Sequence, residues 1–558
     1  MQTETCEKNT FFLRRFLTEA GVYVGVFFLT LVLFLFLKPY VYPEEYYIRM
    51  GVVAQGVMIV ALLACLLVGA YLFLHKKLTA KRVVILLLII GFALRVGYML
   101  YTPAATRQQD TYSGNFDGHE AYAWTIFSTG KLPTNNNYQF YHPPLNAAIQ
   151  AFFMRFMQGL TRGLSKVFGL GEYFPSAFTF AKPTYITDDM RYFLYQSCQI
   201  LSVLYSFIAC VVSVKIIDMF DLPTKTKVLI SAFVILYPRN MQFSGMLNND
   251  GISFMFGIVA LYFALKWWKG GKSLVDILLC ALAVGLGMSA KLSSATVCLP
   301  IAGIFVWEFF ASIKREGDTL SIGKTIMQYG LFLLVCAPIG LWFQVYAGVR
   351  FDQPFGFVFS NLNHKLYTGD HSLFERFIFA FDINEYIGSL YCRPFEGNYN
   401  LFNYALRSSI FGEFSYWQGE GLAVGAILLA YMGAAFLFIA LIFAFVEGYK
   451  RRKEKPVLLG EMQGGTRIIS RKDFLFVFLL MQSQVLSEIY FYLKMPYGCT
   501  MDFRYIMPMI LAMALALGYA QKALENSLSR AAKPLNTLLT ITVTAFLIVS
   551  SLFYCVCI

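Results

Sequence analysis

Residues 83–101 read VVILLLIIGFALRVGYMLY, with Arg95 as their one charged residue. A helix needs about 20 apolar residues to cross a bilayer, so this stretch predicts a transmembrane helix. Similar runs recur along the whole chain of 558 residues, of which 58% are hydrophobic and only 14% are charged. Soluble domains carry about a quarter charged residues. The sequence therefore predicts a membrane protein and excludes an ordinary soluble domain.

The apolar runs predict about thirteen spans, and thus an all-α polytopic membrane protein. The count can differ by roughly one or two, because a short apolar run also fits a buried helix that does not cross. The predicted spans are residues 20–37, 51–74, 83–101, 190–217, 228–244, 251–267, 274–290, 292–311, 325–346, 421–446, 474–493, 505–521 and 535–557.

Basic residues predict the orientation of these spans. If every span crosses once, the most basic loops fall on one side, which the positive-inside rule identifies as the cytoplasm. The same alternation puts Asp117, Asp250, Lys291 and Arg504 on the outer face. The formal net charge of +13 is therefore a topology signal and not an indication of nucleic-acid binding. The basic loops contain His75-Lys76-Lys77, Lys81-Arg82, Lys225, Lys227, Lys266, Lys269, Lys272, Lys314-Arg315, Lys324 and Lys450-Arg451-Arg452-Lys453.

The spans and two long loops divide the chain into four parts. Between Leu145 and Phe168, apolar residues recur at helical spacing with Arg155, Arg162 and Lys166 among them. This pattern predicts an amphipathic helix in the plane of the membrane interface. The four parts are an N-terminal pair of transmembrane helices (1–82), a transmembrane core (83–346) whose first outer loop is 102–189, a second outer loop (347–420) and C-terminal transmembrane helices (421–558).

The first outer loop contains Asp117-Gly118-His119-Glu120 and, further on, Tyr141-His142-Pro143-Pro144. A partly desolvated carboxylate near a cation can act as a general base, and Asp117 and Glu120 share a face if the segment is helical. Alternatively, Asp117 only caps a helix 118–128, since aspartate is a favoured N-cap. A divalent cation is conceivable, but the spacing of these groups does not support a metal site. No cofactor is therefore predicted.

A second set of polar residues lies at the predicted outer ends of later spans. Lys291 either extends to the surface or binds an anion such as phosphate. Arg504 has the planar donor group that suits phosphate, unless Asp502 or Glu488 neutralises it structurally. Asn248-Asn249-Asp250 fits a cap and turn as well as a binding role.

In their order along the chain and their predicted position on the outer face, these motifs resemble those of GT-C glycosyltransferases. The similarity is to the bacterial branch related to protein O-mannosyltransferases and lipid A aminoarabinose transferases (glycosyltransferase family 39-like). It covers roughly 95–310 and 500–511. Many relatives have adjacent acids where this chain has Asp117-Gly118-His119-Glu120. The matching segments are Asp117 to Tyr122, Gly130-Lys131-Leu132-Pro133, Tyr141 to Leu145, Asn248-Asn249-Asp250, Lys291 before Pro300, and Arg504-Tyr505 before Pro508.

The resemblance implies a GT-C-like helix bundle that moves a sugar from a polyprenyl-phosphate donor to a hydroxyl of an acceptor lipid, glycan or protein, with inversion. Asp117 would be the general base, with Glu120 as a second catalytic acid. The implied location is a bacterial plasma membrane, with the site facing outward and no nucleic acid as partner. Substrate and donor-phosphate binding falls to His119, His142, Asn249, Asp250, Lys291 and Arg504.

Two other classes of function fit a polytopic chain. A transporter or flippase of envelope lipids or polymers is the main alternative, and a non-enzymatic assembly factor is the second. Transporters show inverted repeats and charges at mid-membrane, whereas the charged motifs here cluster near the predicted outer edge.

Overall fold

The computed structural model describes residues 2–38, 43–104, 118–168, 188–315, 319–358, 366–378, 399–412, 419–454, 469–527 and 529–556. These ranges are largely helical, and the one bridge between extended segments within them joins Tyr367 to Tyr497. The helices are α1 (Gln2–Leu37), α2 (Pro43–Leu74), α3 (Ala80–Tyr101), α4 (His119–Thr129), α5 (Leu145–Phe168), α6 (Asp188–Ser197), α7 (Gln199–Asp218), α8 (Thr224–Leu236), α9 (Pro238–Gln242), α10 (Asp250–Lys269), α11 (Leu274–Ala290), α12 (Cys298–Lys314), α13 (Ile322–Phe351), α14 (Leu373–Phe377), α15 (Leu401–Phe411), α16 (Glu420–Glu454), α17 (Arg471–Lys494), α18 (Met509–Glu525) and α19 (Ala532–Val556).

Ten helical segments of the described chain are long and apolar enough to cross a membrane. An eleventh is added if Gly498–Ile506 and Met509–Glu525, which meet at 61°, together form one span. The protein is therefore an integral, multi-pass helical membrane protein. The thirteen predicted spans are not confirmed.

The difference from thirteen arises at three predicted spans. Residues 228–244 are divided between α8 and α9, because Pro238 begins a new helix where its missing N–H is tolerated. Residues 505–521 begin as a 3-10 turn, and α18 starts only after Pro508. Residues 274–290 do form one helix, α11, but its 17 residues are fewer than the roughly 20 that span a bilayer.

The centre of the bundle consists of α7, α10, α11 and α18. In α10, 72% of the most apolar stretch is buried, against 11% in α2 and 17% in α1. A helix buried all round packs inside a bundle, whereas large apolar side chains exposed on α1 and α2 are suited to lipid. Close packing uses small residues, as in other membrane bundles. At Gly285 of α11, for example, a Cβ would lie only 2.9 Å from Cβ of Ile339 in α13.

The N-terminal helix is attached to this core through Lys38. Its ammonium group is fully buried and donates hydrogen bonds to the carbonyl oxygens of Met99 and Thr102 and to Oε1 of Gln199. These acceptors lie at the end of α3 and the start of α7. The first two helices, predicted from the sequence as an extra pair, are therefore integrated with the core.

The amphipathic helix predicted between Leu145 and Phe168 is present with those bounds as α5. Its buried face includes Ala151, Met154 and Met157, while Phe152 is 78% exposed. The buried face packs on the rest of the protein, and the exposed apolar side chains remain available to lipid. That α5 lies in the plane of the membrane interface stays a prediction.

We expect the segments holding Lys77, Lys269 and Arg452 to be cytoplasmic and those holding Asp117 and Tyr367 to be outside, because basic loops are retained inside. Single added cysteines at these five positions, probed in intact cells with a membrane-impermeant thiol reagent, test the orientation. The unsubstituted protein supplies the background from its native cysteines. A cysteine at position 117 that reacted only after permeabilisation would show that the orientation is wrong.

Candidate functional site

The start of α10 and the end of α11 carry an ion pair. Asp250 is the first residue of α10, Lys291 follows the last residue of α11, and Nζ of Lys291 contacts Oδ1 of Asp250. Asn249 strengthens the junction, since its Nδ2 donates to the carbonyl oxygen of Ala290 at 3.1 Å. Both charged side chains are largely buried. We call the end of the bundle that carries this pair the site end.

Arg504 approaches Lys291 from a distant part of the chain, and Tyr505 lies between them. Arg504 is in the 3-10 turn Phe503–Ile506 and donates from Nη2 to the hydroxyl of Tyr505 at 2.7 Å. The ring centroid of Tyr505 is 4.7 Å from Nζ of Lys291 and 4.8 Å from the guanidinium carbon of Arg504. A π face favours nearby cations. The ring therefore holds two positive charges close together.

A second ion pair underlies this turn. Asp502 accepts hydrogen bonds from Nη2 of Arg239 at 2.8 and 2.6 Å, and neither side chain has any exposed surface. The Asp502 carboxylate also accepts from the backbone N–H of Arg504 at 3.1 Å. Gly412 leaves room for Arg239, because a Cβ there would lie 1.9 Å from Nη1 of the arginine. The buried pair thus fixes the backbone that presents Arg504.

His119 and His142, two histidines of the first loop, lie near Lys291 and Arg504. The rings of His119 and His142 are nearly parallel, with centroids 5.8 Å apart, and the hydroxyl of Tyr122 donates to the carbonyl oxygen of His142 at 3.1 Å. Burial, followed by the charges of Lys291, His119 and Arg504, holds the pKa of His142 well below its ordinary value. His142 is therefore a neutral imidazole that can donate or accept a hydrogen bond.

Of the two predicted catalytic acids, Glu120 lies within the described residues and Asp117 does not. Glu120 is buried in α4 and forms two hydrogen bonds with Arg191, one of them from Nη2 at 2.6 Å. Arg191 also lies over the ring of Trp124, 5.0 Å from its centroid. Asp117 lies outside the described residues, so its role stays a prediction. The alternative role of Asp117 as a helix cap lies outside the described residues too, although α4 begins at His119 with Gly118 in the N-cap position.

A small, open cavity lies beside Arg504 and Tyr505. Asp250, Arg504 and Tyr505 line one part of it, and Phe254 and Val297 are among its apolar lining residues. Serine and threonine hydroxyls from α10 and the 3-10 turn Leu292–Val297 complete the lining. The lining therefore offers a cation, a carboxylate, hydroxyl groups and a few apolar side chains to a small ligand group.

The structure thus brings together most of the residues predicted for substrate binding, from four separate stretches of sequence. His119, His142, Asp250, Lys291 and Arg504 are near enough for their charges to act on one another, and Asn249 supports the group. Sequence reasoning missed Arg239 and Arg191 as ion-pair partners, and it gave Tyr505 no role of its own. A basic residue inside a predicted span was the available signal for both arginines.

Comparison with protein-family models gives no match, and neither does comparison with curated proteins. The chemistry of the site must therefore carry the functional argument. Among the residues that the structure describes, no three His, Cys, Asp or Glu side chains are grouped as a metal site would need. The group combines two cations, the carboxylates of Asp250 and Asp502 paired with them, a neutral histidine and a partly apolar cavity, and this combination suits a small polar or anionic ligand group.

Proposed function

We propose that this protein is a GT-C-like membrane glycosyltransferase. It moves a sugar from a polyprenyl-phosphate donor to an acceptor hydroxyl, with inversion, at the site end of the bundle, which faces outward in a bacterial plasma membrane. The observation that carries the proposal is the pair of cations held on one tyrosine ring beside a cavity whose lining is partly apolar.

The cations are suited to the leaving group of this reaction. As the bond between the anomeric carbon and the donor phosphate breaks, negative charge accumulates on the departing phosphate oxygen. Lys291 and Arg504 are already in place to stabilise it, and fixed charges in a largely desolvated site act strongly on such charge. Arg504 also has the planar donor arrangement that binds phosphate oxygens in pairs.

Asp117 is the general base in this proposal. The acceptor oxygen attacks the anomeric carbon from the side opposite the phosphate, and Asp117 takes the hydroxyl proton. Glu120 is less suited to this task, because Arg191 already engages both of its carboxylate oxygens.

Release of polyprenyl phosphate from a panel of synthetic polyprenyl-phosphate sugars tests the proposal against the transporter alternative. The purified protein is expected to cleave the sugar–phosphate bond of at least one donor when extracted acceptor lipids are present. A transporter or flippase would move the donor across a proteoliposome membrane and leave that bond intact. An assembly factor would do neither.

We expect Lys291→Ala and Arg504→Ala each to weaken donor binding. Removing one charge from a desolvated charged contact costs on the order of 2–5 kcal/mol. Binding of farnesyl phosphate to the purified variants, measured by calorimetry, gives the loss. Lys314→Ala is the matched control, because Lys314 is an exposed lysine at the end of α12.

A double variant separates binding from folding. Lys291→Ala leaves Asp250 buried without its cation, so the single variant also loses thermal stability. Lys291→Ala combined with Asp250→Asn removes both charges and is expected to regain stability without regaining affinity. If the double variant bound farnesyl phosphate as the unsubstituted protein does, Lys291 would have a structural role only.

A further inference from the structure

Glu488 is a buried acid beside the site that the proposed reaction does not use. It lies in α17 with 3% of its surface exposed, and neither carboxylate oxygen has a hydrogen-bond partner in the part of the chain that the structure describes. A buried carboxylate without donors is unfavourable when ionised, by several kcal/mol at the least. Its surroundings therefore favour either a proton on Glu488 or a compensating group.

The charged groups that act on Glu488 come from two other elements. Asp502 and Arg504 act from the segment before α18, and Lys291 acts from the end of α11. One turn further along α17, Phe491 packs on Tyr505 with ring centroids 5.0 Å apart. Glu488 therefore belongs to the same group of charges as the cations that line the proposed phosphate site.

Charges of both signs surround the proposed phosphate site. They include the cations Lys291, Arg239 and Arg504 and the carboxylates Asp250, Asp502 and Glu488. With these six side chains ionised, the carboxylates offset the charge of the cations. A bound phosphate would then add negative charge in a buried place that already holds three carboxylates. That is unfavourable unless one carboxylate gains a proton.

Glu488 is the carboxylate that can gain this proton most easily. Asp250 is paired with Lys291, and Asp502 accepts two hydrogen bonds from Arg239 and one from the backbone of Arg504. Protonation of either aspartate would disrupt those bonds. Protonation of Glu488 disrupts none in the described structure and removes the repulsion from Asp502.

We propose that the site binds a phosphate group together with one proton, and that Glu488 holds the proton. The proposal rests on the proposed function for the presence of the phosphate site. The proton comes from solution, and no bond of the ligand is made or broken. With Glu488 neutral, one negative charge beside the cations is removed, which favours an anionic lipid headgroup or free phosphate over a neutral ligand.

The proposal fixes the sign of a pH effect. Because the complex contains one more proton than the free components, raising the pH lowers the affinity, by up to about tenfold per pH unit while Glu488 ionises in the free protein. A phosphate monoester has its second pKa near about 6. Above about pH 7.5 its own charge no longer changes, so a slope in that range reports on the protein.

Farnesyl phosphate binding to the full-length protein in detergent, measured by calorimetry between pH 7.5 and 9.5 in two buffers of different ionisation enthalpy, gives both affinity and proton uptake. The unsubstituted protein is expected to lose affinity as pH rises and to take up a proton on binding. Glu488→Gln, which is neutral at every pH, is expected to bind without either effect and more tightly than the unsubstituted protein at pH 9.5. A misfolded variant would not gain affinity.

Glu525→Gln is the matched control, because Glu525 is exposed at the end of α18. This substitution should leave the slope of affinity against pH unchanged. Equal slopes for the unsubstituted protein and Glu488→Gln, or no slope in either, would overturn the role of Glu488 while leaving the glycosyltransferase proposal standing. Absence of binding at every pH would overturn both.

Inorganic phosphate, the second probe, distinguishes the source of the anion at pH 9. We expect its affinity to fall in the same way as the pH is raised further. It should bind more weakly than farnesyl phosphate, because it has no hydrocarbon chain to contact the apolar lining residues of the cavity. If it bound as tightly and with the same slope, the proton coupling would be supported and the lipid part of the proposed function would be wrong.

Discussion

Asp117→Asn is expected to abolish sugar transfer while the protein still binds the lipid phosphate. Asparagine keeps the shape of the side chain but cannot take the acceptor proton, and the loss of a positioned base lowers the rate by about 10²–10⁴. Binding should persist because the proposed phosphate contacts come from Lys291 and Arg504. Transfer of radiolabelled sugar and calorimetric binding of farnesyl phosphate, measured on one preparation, give the two quantities.

Glu120→Gln is the comparison variant for this experiment. It weakens the buried contact with Arg191, so we expect a lower melting temperature and a smaller loss of transfer rate per folded molecule. The opposite pattern, an inactive but stable Glu120→Gln and an active Asp117→Asn, would show that the two acids have exchanged roles. Loss of phosphate binding in Asp117→Asn would instead place Asp117 in the binding site.

Arg239→Ala is expected to destabilise the protein more than any other single change considered for this site. It leaves the Asp502 carboxylate fully buried without its main partner, and breaking a buried ion pair in this way costs about 3–5 kcal/mol. Thermal and chemical unfolding in detergent measure the effect. Because Asp502 also holds the backbone N–H of Arg504, phosphate affinity should fall in the molecules that remain folded.

The pair of Lys522 with Asp221 provides the control for Arg239→Ala. The Asp221 side chain is 93% exposed, and pairs with such an exposed partner contribute about 0–1 kcal/mol. Asp221→Ala, which leaves Lys522 in place, should therefore unfold almost as the unsubstituted protein does. If Arg239→Ala matched this control, the Arg239–Asp502 contact would not support the turn that carries Arg504.

The sequence was sufficient to predict most of the helical framework. Ten of the thirteen predicted spans correspond to long apolar helices, because an apolar run of the right length has few alternatives in a membrane. The other three are not confirmed as spans. Residues 228–244 and 505–521 are interrupted near a proline, and residues 274–290 form a helix of only 17 residues. Hydropathy alone does not predict that a helix is interrupted at Pro238 and Pro508. Both prolines are visible in the sequence as signals for such an interruption.

Most residues of the candidate site could be predicted from the sequence, but the contacts between them could not. Lys291 and Arg504 were placed on one face by counting spans, and the structure gathers them on Tyr505. The pairing of Arg239 with Asp502 joins residues 263 positions apart, and that of Glu120 with Arg191 joins residues 71 apart. Local spacing contains no information about such contacts, since they depend on how the helices pack.

The contacts of Lys38 have a consequence for the biogenesis of the protein. Its partners Met99 and Gln199 are synthesised 61 and 161 residues later, so α1 enters the bilayer before any acceptor for its ammonium group exists. A lysine without partners stays at the water boundary. The acceptors of this lysine are therefore complete only after both α3 and α7 have been synthesised. The packing of α1 on the core is thus tied to the order of synthesis.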